Sequence, residues 1–214
     1  VSKPRLLDLF CCAGGAGMGY HRAGFEVVGV DIKPQPRYPF EFHQGDALEY
    51  VAAYGHEFDA IHASPPCQRY TVAQNAAKNA DAHPDLVPTV RELLIASGKP
   101  YTIENVVGAP LIEPFMLCGL SFGLGVRRHR LFESNLFIMT HPCQCQNADY
   151  YVIFGHEVRN RRHGQASGRK NKIAEGRKAM GIDWMTRGEL SEAIPPAYTE
   201  YIGEYLMAAV RERV

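Results

Sequence analysis

The chain has 214 residues, enough for one α/β domain with a small appendage, and its 23 Lys and Arg balance 23 Asp and Glu to a net charge of zero. That balance excludes a polyanion binder held by overall charge, so any contact with nucleic acid has to come from local clustering. Six cysteines, two of them adjacent at Cys11-Cys12, do not suggest a disulfide framework. The longest apolar runs are short and carry charges, so neither a signal peptide nor a membrane span is expected.

Residues 5–10, Arg-Leu-Leu-Asp-Leu-Phe, form the first predicted strand. A glycine-rich turn follows, with a helix starting at Gly15, and Val27-Val28-Gly29-Val30 forms a second strand that ends in Asp31. A turn at Pro34-Gln35-Pro36 precedes a short strand near Phe42, a helix over 47–53 and a strand over 58–63. Residues 68–83 are rich in Ala and Asn, lack hydrophobic periodicity and read as a mobile loop that can close over a substrate. Leu86, Val90, Leu93 and Leu94 have helical spacing over 85–97, and Gly98 and Pro100 end that helix. Strands over 101–104 and 130–134 and an amphipathic helix over 198–210 complete the order. Such alternation predicts an α/β fold with a mostly parallel sheet covered by helices.

Strand, glycine turn, helix, strand and terminal acid are the parts of a nucleoside site. The turn lets a ligand approach the backbone, the helix amino terminus offers N–H donors, and an acid ~20 residues on binds ribose hydroxyls. A Walker loop is excluded because no Gly-Lys-Ser/Thr follows. Gly15, Gly17 and Gly19 do not fit the dinucleotide fingerprint either, since Tyr20 stands at the third glycine. A nucleoside without pyrophosphate fits better, and a nicotinamide oxidoreductase is disfavoured. The second chemical feature is Ser64-Pro65-Pro66-Cys67-Gln68. Two prolines stiffen the backbone just before a thiol at the carboxyl end of a strand, where nucleophilic attack on a ligand is feasible.

Asp8-Leu9-Phe10 with Gly14-Gly15, Asp31, Gly45-Asp46, Pro65-Pro66-Cys67-Gln68, Glu104-Asn105-Val106 and Arg128-x-Arg130 stand in a telling order. With Ala193-Ile194-Pro195-Pro196-Ala197 and Tyr201-Ile202-Gly203, they resemble the motifs of the C5-cytosine DNA methyltransferases over residues 5–205. The resemblance implies a Rossmann-like, S-adenosylmethionine-dependent methyltransferase fold with helices on both faces and one antiparallel strand. It implies methyl transfer from S-adenosyl-L-methionine to C5 of a cytosine flipped out of DNA, through a covalent Cys67 adduct at C6. Cys67, Glu104, Arg128 and Arg130 are the implied catalytic set. Glu104 would meet N3, and Arg128 the base oxygen or a phosphate. Cofactor contacts are implied for Phe10, Cys12, Ala13, Gly14, Gly15, Asp31, Ile32, Asp46, Ala47, Pro66 and Ala193. Asp46 would face the adenine amino group and can also cap the helix after it. No metal belongs to this set, and neither His62 nor His129 is given a role.

The resemblance also has departures. Cys12 replaces the first glycine of the turn motif, Val126 replaces the glutamine before the arginines, and Ser191-Glu192 replaces the Gly-Asn before the last motif. Residues 1–139 and 189–214 are expected to form the catalytic and cofactor-binding domain, and 140–188 a small target-recognition region. Between Arg159 and Arg187 lie nine Lys and Arg against two acids, Glu175 and Asp183. Within it residues 159–172, Arg159-Asn160-Arg161-Arg162-His163 and Arg169-Lys170-Asn171-Lys172 with Gly164, Ser167 and Gly168, read as a flexible basic loop for phosphate and base contact, with modest sequence specificity. His141-Pro142-Cys143-Gln144-Cys145 invites a zinc reading, with His156 and His163 as local extras, but Cys-x-Cys is not the usual ligand spacing. The expected protein is a cytoplasmic monomer, since its nucleophile must stay reduced, and a phage or mobile-element modification enzyme by its small recognition region. Methylation of RNA cytosine and a non-catalytic nucleic-acid-binding role are the alternatives.

Overall fold

The computed structural model describes residues 2–70, 83–140, 142–143, 145–146, 148–154, 157–162, 165–170 and 173–213. Seven strands form the main sheet: β1 (Arg5–Leu9), β2 (Glu26–Asp31), β3 (Glu41–Gln44), β4 (Ala60–Ala63), β5 (Tyr101–Asn105), β6 (Phe115–Leu117) and β7 (Arg130–Ser134). Their order is β3-β2-β1-β4-β5-β7-β6. Strands β1 to β5 pair in parallel, and β7 is antiparallel to both neighbours, so within this sheet β7 alone runs backwards. This is the mostly parallel, Rossmann-like sheet of S-adenosylmethionine-dependent methyltransferases, with the one reversed strand expected.

Six helices accompany the sheets among the described residues: α1 (Gly15–Arg22), α2 (Ala47–Tyr54), α3 (Val87–Ser97), α4 (Ile173–Met180), α5 (Arg187–Glu192) and α6 (Pro196–Arg211). Side chains alternate across β1, and both faces are buried. Leu6 packs with Tyr20, Phe25, Phe132, Tyr198 and Ile202 under α1 and α6. Leu7 and Leu9 pack with Val28, Val51, Ile61, Val90 and Leu94 under α2 and α3. Most of the glycine run serves packing. A Cβ at Gly19 would lie 2.1 Å from both the Pro196 carbonyl oxygen and Thr199 Oγ1, and one at Gly15 would lie 2.6 Å from the Ile194 oxygen. Close apposition of α1 and α6 therefore requires glycine there.

A second sheet, ordered β10-β9-β8, is antiparallel and built from β8 (Tyr150–Phe154), β9 (Glu157–Arg162) and β10 (Gln165–Lys170). The basic segment is thus strand for most of its length, which corrects the flexible-loop expectation. Pairing with β8 supplies the order that its sparse apolar residues do not advertise. Val158 and Ile153 are buried with Met180, Met185 and Leu190, and also with Ala13, Val126 and Ala193. The small sheet therefore shares a core with the nucleoside-site turn. The expected 68–83 loop lies outside the described residues apart from Gln68–Tyr70, a 3-10 turn, and His83.

Candidate active site

The resembling motifs converge on one edge of the main sheet. The turn at 10–15, Asp31 and Cys67 follow the carboxyl ends of β1, β2 and β4, and Glu104 and Asn105 end β5. Because β7 is antiparallel, its first residue, Arg130, comes to the same edge, with Leu131 opposite Asn105. Strand order reverses direction between β1 and β4, and ligands of open α/β sheets bind in the crevice at that point.

The nucleophile loop is tied down at each step. The Ser64 amide donates to the Leu9 carbonyl at 3.1 Å, and the Tyr70 amide to the Cys67 carbonyl at 2.9 Å. Asn105 Nδ2 donates to the Pro65 carbonyl at 2.9 Å, and Asn105 Oδ1 accepts from the Val106 amide. Asn105 therefore positions the Pro-Pro-Cys turn. Cys67 itself is half-buried and carries a free thiol. Burial pushes its pKa up, Arg130 and more weakly Arg128 pull it down, and Glu104 adds to the rise.

Glu104 is buried, and its Oε1 lies 2.9 Å from Arg130 Nε. The contact is a charge pair and not an aligned hydrogen bond, because that oxygen accepts no hydrogen bond. Burial raises the Glu104 pKa, and it outweighs the opposing pull of Arg130, Arg128 and a hydrogen bond to Ser64. A buried acid with an open acceptor position favours carrying a proton. Behind it Ser64 Oγ meets His62 Nε2 at 2.8 Å, and His62 Nδ1 meets Tyr20 Oη and Thr102 Oγ1 at 2.9 and 3.0 Å. Burial lowers the His62 pKa to about 3, so the ring stays neutral in this chain of hydroxyls. Local sequence pattern holds no sign of this network, which needs the β1–β4–β5 register to form.

Arg128 is placed differently from Arg130. Its guanidinium donates to the Ile153 carbonyl at 3.3 Å and to the Ser191 carbonyl at 2.7 Å, joining β8 to the end of α5. Burial and the neighbouring Arg130 lower its pKa to about 9, which leaves it charged at neutral pH. Arg130 is thus the guanidinium paired with the carboxylate. Val126, where a glutamine was expected, is buried in the core under the small sheet, so an apolar residue suits it.

On the cofactor side, Asp31 Oδ2 accepts from the Cys12 amide at 3.0 Å and Oδ1 from the Lys33 amide at 2.9 Å, fastening the turn to β2. Gly14, at φ +80°, occupies the left-handed region just before α1, whereas Cys12 adopts φ +45° with a side chain present. Phe10 is also left-handed at φ +58°, and Trp184 Nε1 donates to the Ala13 carbonyl at 2.8 Å. Ile32 is 66% exposed beside Asp31. Asp46 caps α2 through Oδ1, at 2.7 Å from the Leu48 amide and 3.1 Å from the Glu49 amide. Ala47 and Ala193 are buried, and Pro66 is exposed. An exposed aliphatic side chain beside the Asp31 carboxylate, with Asp46 following the next strand and the α1 amino terminus near, is a set that fits an adenosine moiety.

Two residues outside the implied set gather at the far side of the arginine motif. Cys118 and His129 join Cys143 and Cys145, with one ligand atom of each within 4.8 Å of the others. His129 therefore has a place, and the cysteine pair has partners that local spacing did not reveal. His156 and His163, the local extras, lie outside the described residues.

No protein-family model matches the chain. Over 176 residues it is 26% identical to the type II methyltransferase M.XorII of Xanthomonas oryzae pv. oryzae, a match covering 75% of the chain and 37% of that relative. The chain thus spans little more than a third of the length of the curated relative it matches. Among solved structures, Entamoeba histolytica methyltransferase EhMeth superposes with a TM-score of 0.62 at 14% identity, over 98% of this chain and 99% of that one. A candidate DNA modification methyltransferase encoded within an E. coli prophage gives 0.60 at 14% identity, over 98% and 99%. The Dnmt2 methyltransferase of S. pombe gives 0.59 at 13%, over 97% and 99%. In its ordered motifs, its single reversed strand and its identity to this relative, the chain is similar to the C5-cytosine methyltransferases, and the three solved structures share its fold.

Proposed function

We propose that the chain is an S-adenosylmethionine-dependent DNA cytosine C5 methyltransferase, a modification enzyme of the restriction–modification type acting as a single chain. The observation that supports this most is the grouping of Cys67, Glu104 and Arg130 at the crevice edge, with Glu104 Oε1 buried beside Arg130 yet accepting no hydrogen bond. When bound, S-adenosylmethionine supplies an electrophilic methyl group. Asp31, Ile32 and Asp46, with the 12–15 turn, are the residues that would hold it.

C5 of cytosine is too weak a nucleophile to take a methyl group directly. Cys67 Sγ, as thiolate, adds to C6 and pushes electron density to C5. Charge then builds toward N3 and O2, and Glu104 gives its proton to N3 as the C6–S bond forms. Arg130 holds the resulting carboxylate and favours the thiolate. After C5 has gained its methyl group, the C5 proton leaves to a base or water, the electron pair reforms the C5–C6 double bond, Cys67 departs as thiolate, and the N3 proton returns to the Glu104 carboxylate. Arg128 acts as a positioning residue by fixing β8 against the site. The β9–β10 hairpin supplies phosphate contacts that hold the strand from which the cytosine is turned out.

The test is transfer of labelled methyl to duplex DNA and, separately, to transfer RNA, followed by nucleoside analysis of each. Labelled 5-methylcytosine in DNA, abolished by Cys67→Ala, is the expected result. Label confined to RNA would move the activity to the alternative substrate, and label on any atom other than C5 would overturn the reading. Replacing Arg161, Arg162, Arg169 and Lys170 with Ala should also flatten the salt dependence of DNA binding, by about 0.9 in the log–log slope per lost phosphate contact.

A further inference from the structure

We propose that Cys118, His129, Cys143 and Cys145 form a structural zinc site that fastens the recognition sheet to the catalytic sheet. The four residues come from separate places in the chain. Cys118 follows β6, His129 immediately precedes β7, and Cys143 and Cys145 lie on the segment leading from β7 to β8. Folding nevertheless brings one ligand atom from each within 4.8 Å of all the others. His129 Nε2 is 3.3 Å from Cys143 Sγ and 3.5 Å from Cys145 Sγ.

A tetrahedral zinc with bonds of about 2.3 Å to sulfur and about 2.05 Å to nitrogen has S–N edges of roughly 3.6 Å and S–S edges of roughly 3.8 Å. The two imidazole–sulfur edges already approach that size and every other edge is within 4.8 Å, so a metal requires side-chain adjustment of at most about 1 Å and no refolding. Thiol-to-imidazole hydrogen bonds account for two of the contacts. Buried Cys118 is hydrogen-bonded to Cys143 in turn, so three thiols and one imidazole are gathered to the same point. Three sulfurs and one imidazole nitrogen are a soft set that selects zinc over magnesium or calcium. Four protein ligands close the coordination sphere, the mark of a structural and not a catalytic zinc. Three thiolates and a neutral imidazole around Zn²⁺ leave a net charge of −1. Arg127, two residues before His129 and within electrostatic reach of Cys118 and Cys145, offsets it.

The location gives the site its purpose. His129 sits between Arg128 and Arg130, and its carbonyl accepts from Arg130 Nη1 at 2.9 Å. The Arg128 carbonyl accepts from Tyr198 Oη at 2.6 Å. A metal bound to His129 would fix this short backbone stretch from the side opposite the reacting groups. It would also close the chain between residues 118 and 145 and so anchor the approach to β8. A three-stranded sheet whose core is shared with the catalytic domain gains stability from such a clamp.

The experiment measures metal directly and needs no activity. The chain, purified under reducing conditions, is analysed by elemental mass spectrometry and then reconstituted with cobalt(II). About one zinc per chain and a thiolate-to-cobalt charge-transfer band with tetrahedral d–d absorption are expected. His129→Ala and the Cys143→Ser/Cys145→Ser pair should fall to background metal, while His129→Cys, which restores a fourth soft ligand, should keep it. Folded, reduced wild-type chain that takes up neither zinc nor cobalt overturns the proposal, as does full metal content in the ligand-deleted variants. Should those variants fail to fold, the cobalt spectrum of the wild type decides alone. A disulfide between Cys143 and either partner in place of metal, detected by mass after alkylation without reductant, also refutes it.

Discussion

Glu104→Gln separates an acid that delivers a proton from a carboxylate that only orders the site. Burial raises the pKa of Glu104 above the usual 4.5 and that of Cys67 above 9.0. The reactive form pairs a protonated Glu104 with a Cys67 thiolate, and it carries one proton in total. Its population therefore rises as pH climbs through the lower of the two pKa values and falls again above the upper one. Wild-type kcat/KM should be bell-shaped. Gln cannot release a proton, so in the variant only the thiol titrates, and the rate should keep rising with pH with no alkaline fall. Loss of a positioned general acid costs about 10²–10⁴-fold, or roughly 3–5 kcal/mol of barrier at 1.36 kcal/mol per decade. Part of this loss is masked, because removing the Glu104 charge removes one cause of the raised Cys67 pKa. Single-turnover methyl transfer across a pH series, with cofactor affinity and thermal stability as controls, reads all of it. A variant with the same bell as wild type, or with less than about tenfold loss at neutral pH, would show that Glu104 transfers no proton.

Three further outcomes follow from the geometry. Asp31→Ala should weaken S-adenosylmethionine binding about 5–150-fold, the equivalent of 1–3 kcal/mol for hydrogen bonds to a charged group; unchanged affinity by calorimetry would place the ribose elsewhere. Gly19→Ala puts a methyl group 2.1 Å from the Pro196 carbonyl and Thr199 and should destabilise the fold by about 2–3 kcal/mol, lowering Tm by roughly 4–12 °C; an unchanged Tm would mean that α1 and α6 separate freely. Asp8 is buried, accepts from Tyr38 Oη at 3.0 Å through Oδ2, and has no partner at Oδ1. Burial raises its pKa from 3.8 to about 8, so between those values the folded chain binds more protons than the unfolded one. Wild-type stability should then fall as pH rises across that window, with a contribution of at most about 1.4 kcal/mol per pH unit. Asp8→Asn removes that contribution, and denaturant melts at a series of pH values should show the variant gaining on wild type up to about pH 8. Parallel pH dependences would mean that Asp8 ionises freely in the fold.

How much the sequence discloses depends on the range over which each feature is determined. Strands such as β1 and β2 and the helix α3 are written in local apolar runs and in stops such as Gly98 and Pro100, so their order was legible, whereas one reversed strand was expected only from the family resemblance. Cys67, Glu104 and Arg130 were singled out by the family resemblance, and they stand after β4, in β5 and at the start of β7 at one end of the sheet. The roles of the two arginines were not legible. Which one reaches Glu104 depends on Arg128 finding carbonyls at Ile153 and Ser191, residues far along the chain. The glycine run signalled a ligand turn, yet Gly19 answers to α6 and Gly15 to the Ala193–Ile194 segment just before it, more than 170 residues away, and of these glycines only Gly14 has the backbone angle that the turn demands. The β9–β10 hairpin was hidden because its order comes from pairing to β8 and from one buried Val158, while its sequence is dominated by charged residues. Cys118 and His129 show the same principle at its extreme. Neither has a ligand-like neighbour in sequence, and only the antiparallel return of β7 against β6 carries them to Cys143 and Cys145. Chemistry that depends on a strand end can be read from local pattern. Chemistry that depends on the meeting of two sheets becomes visible only when the chain has folded.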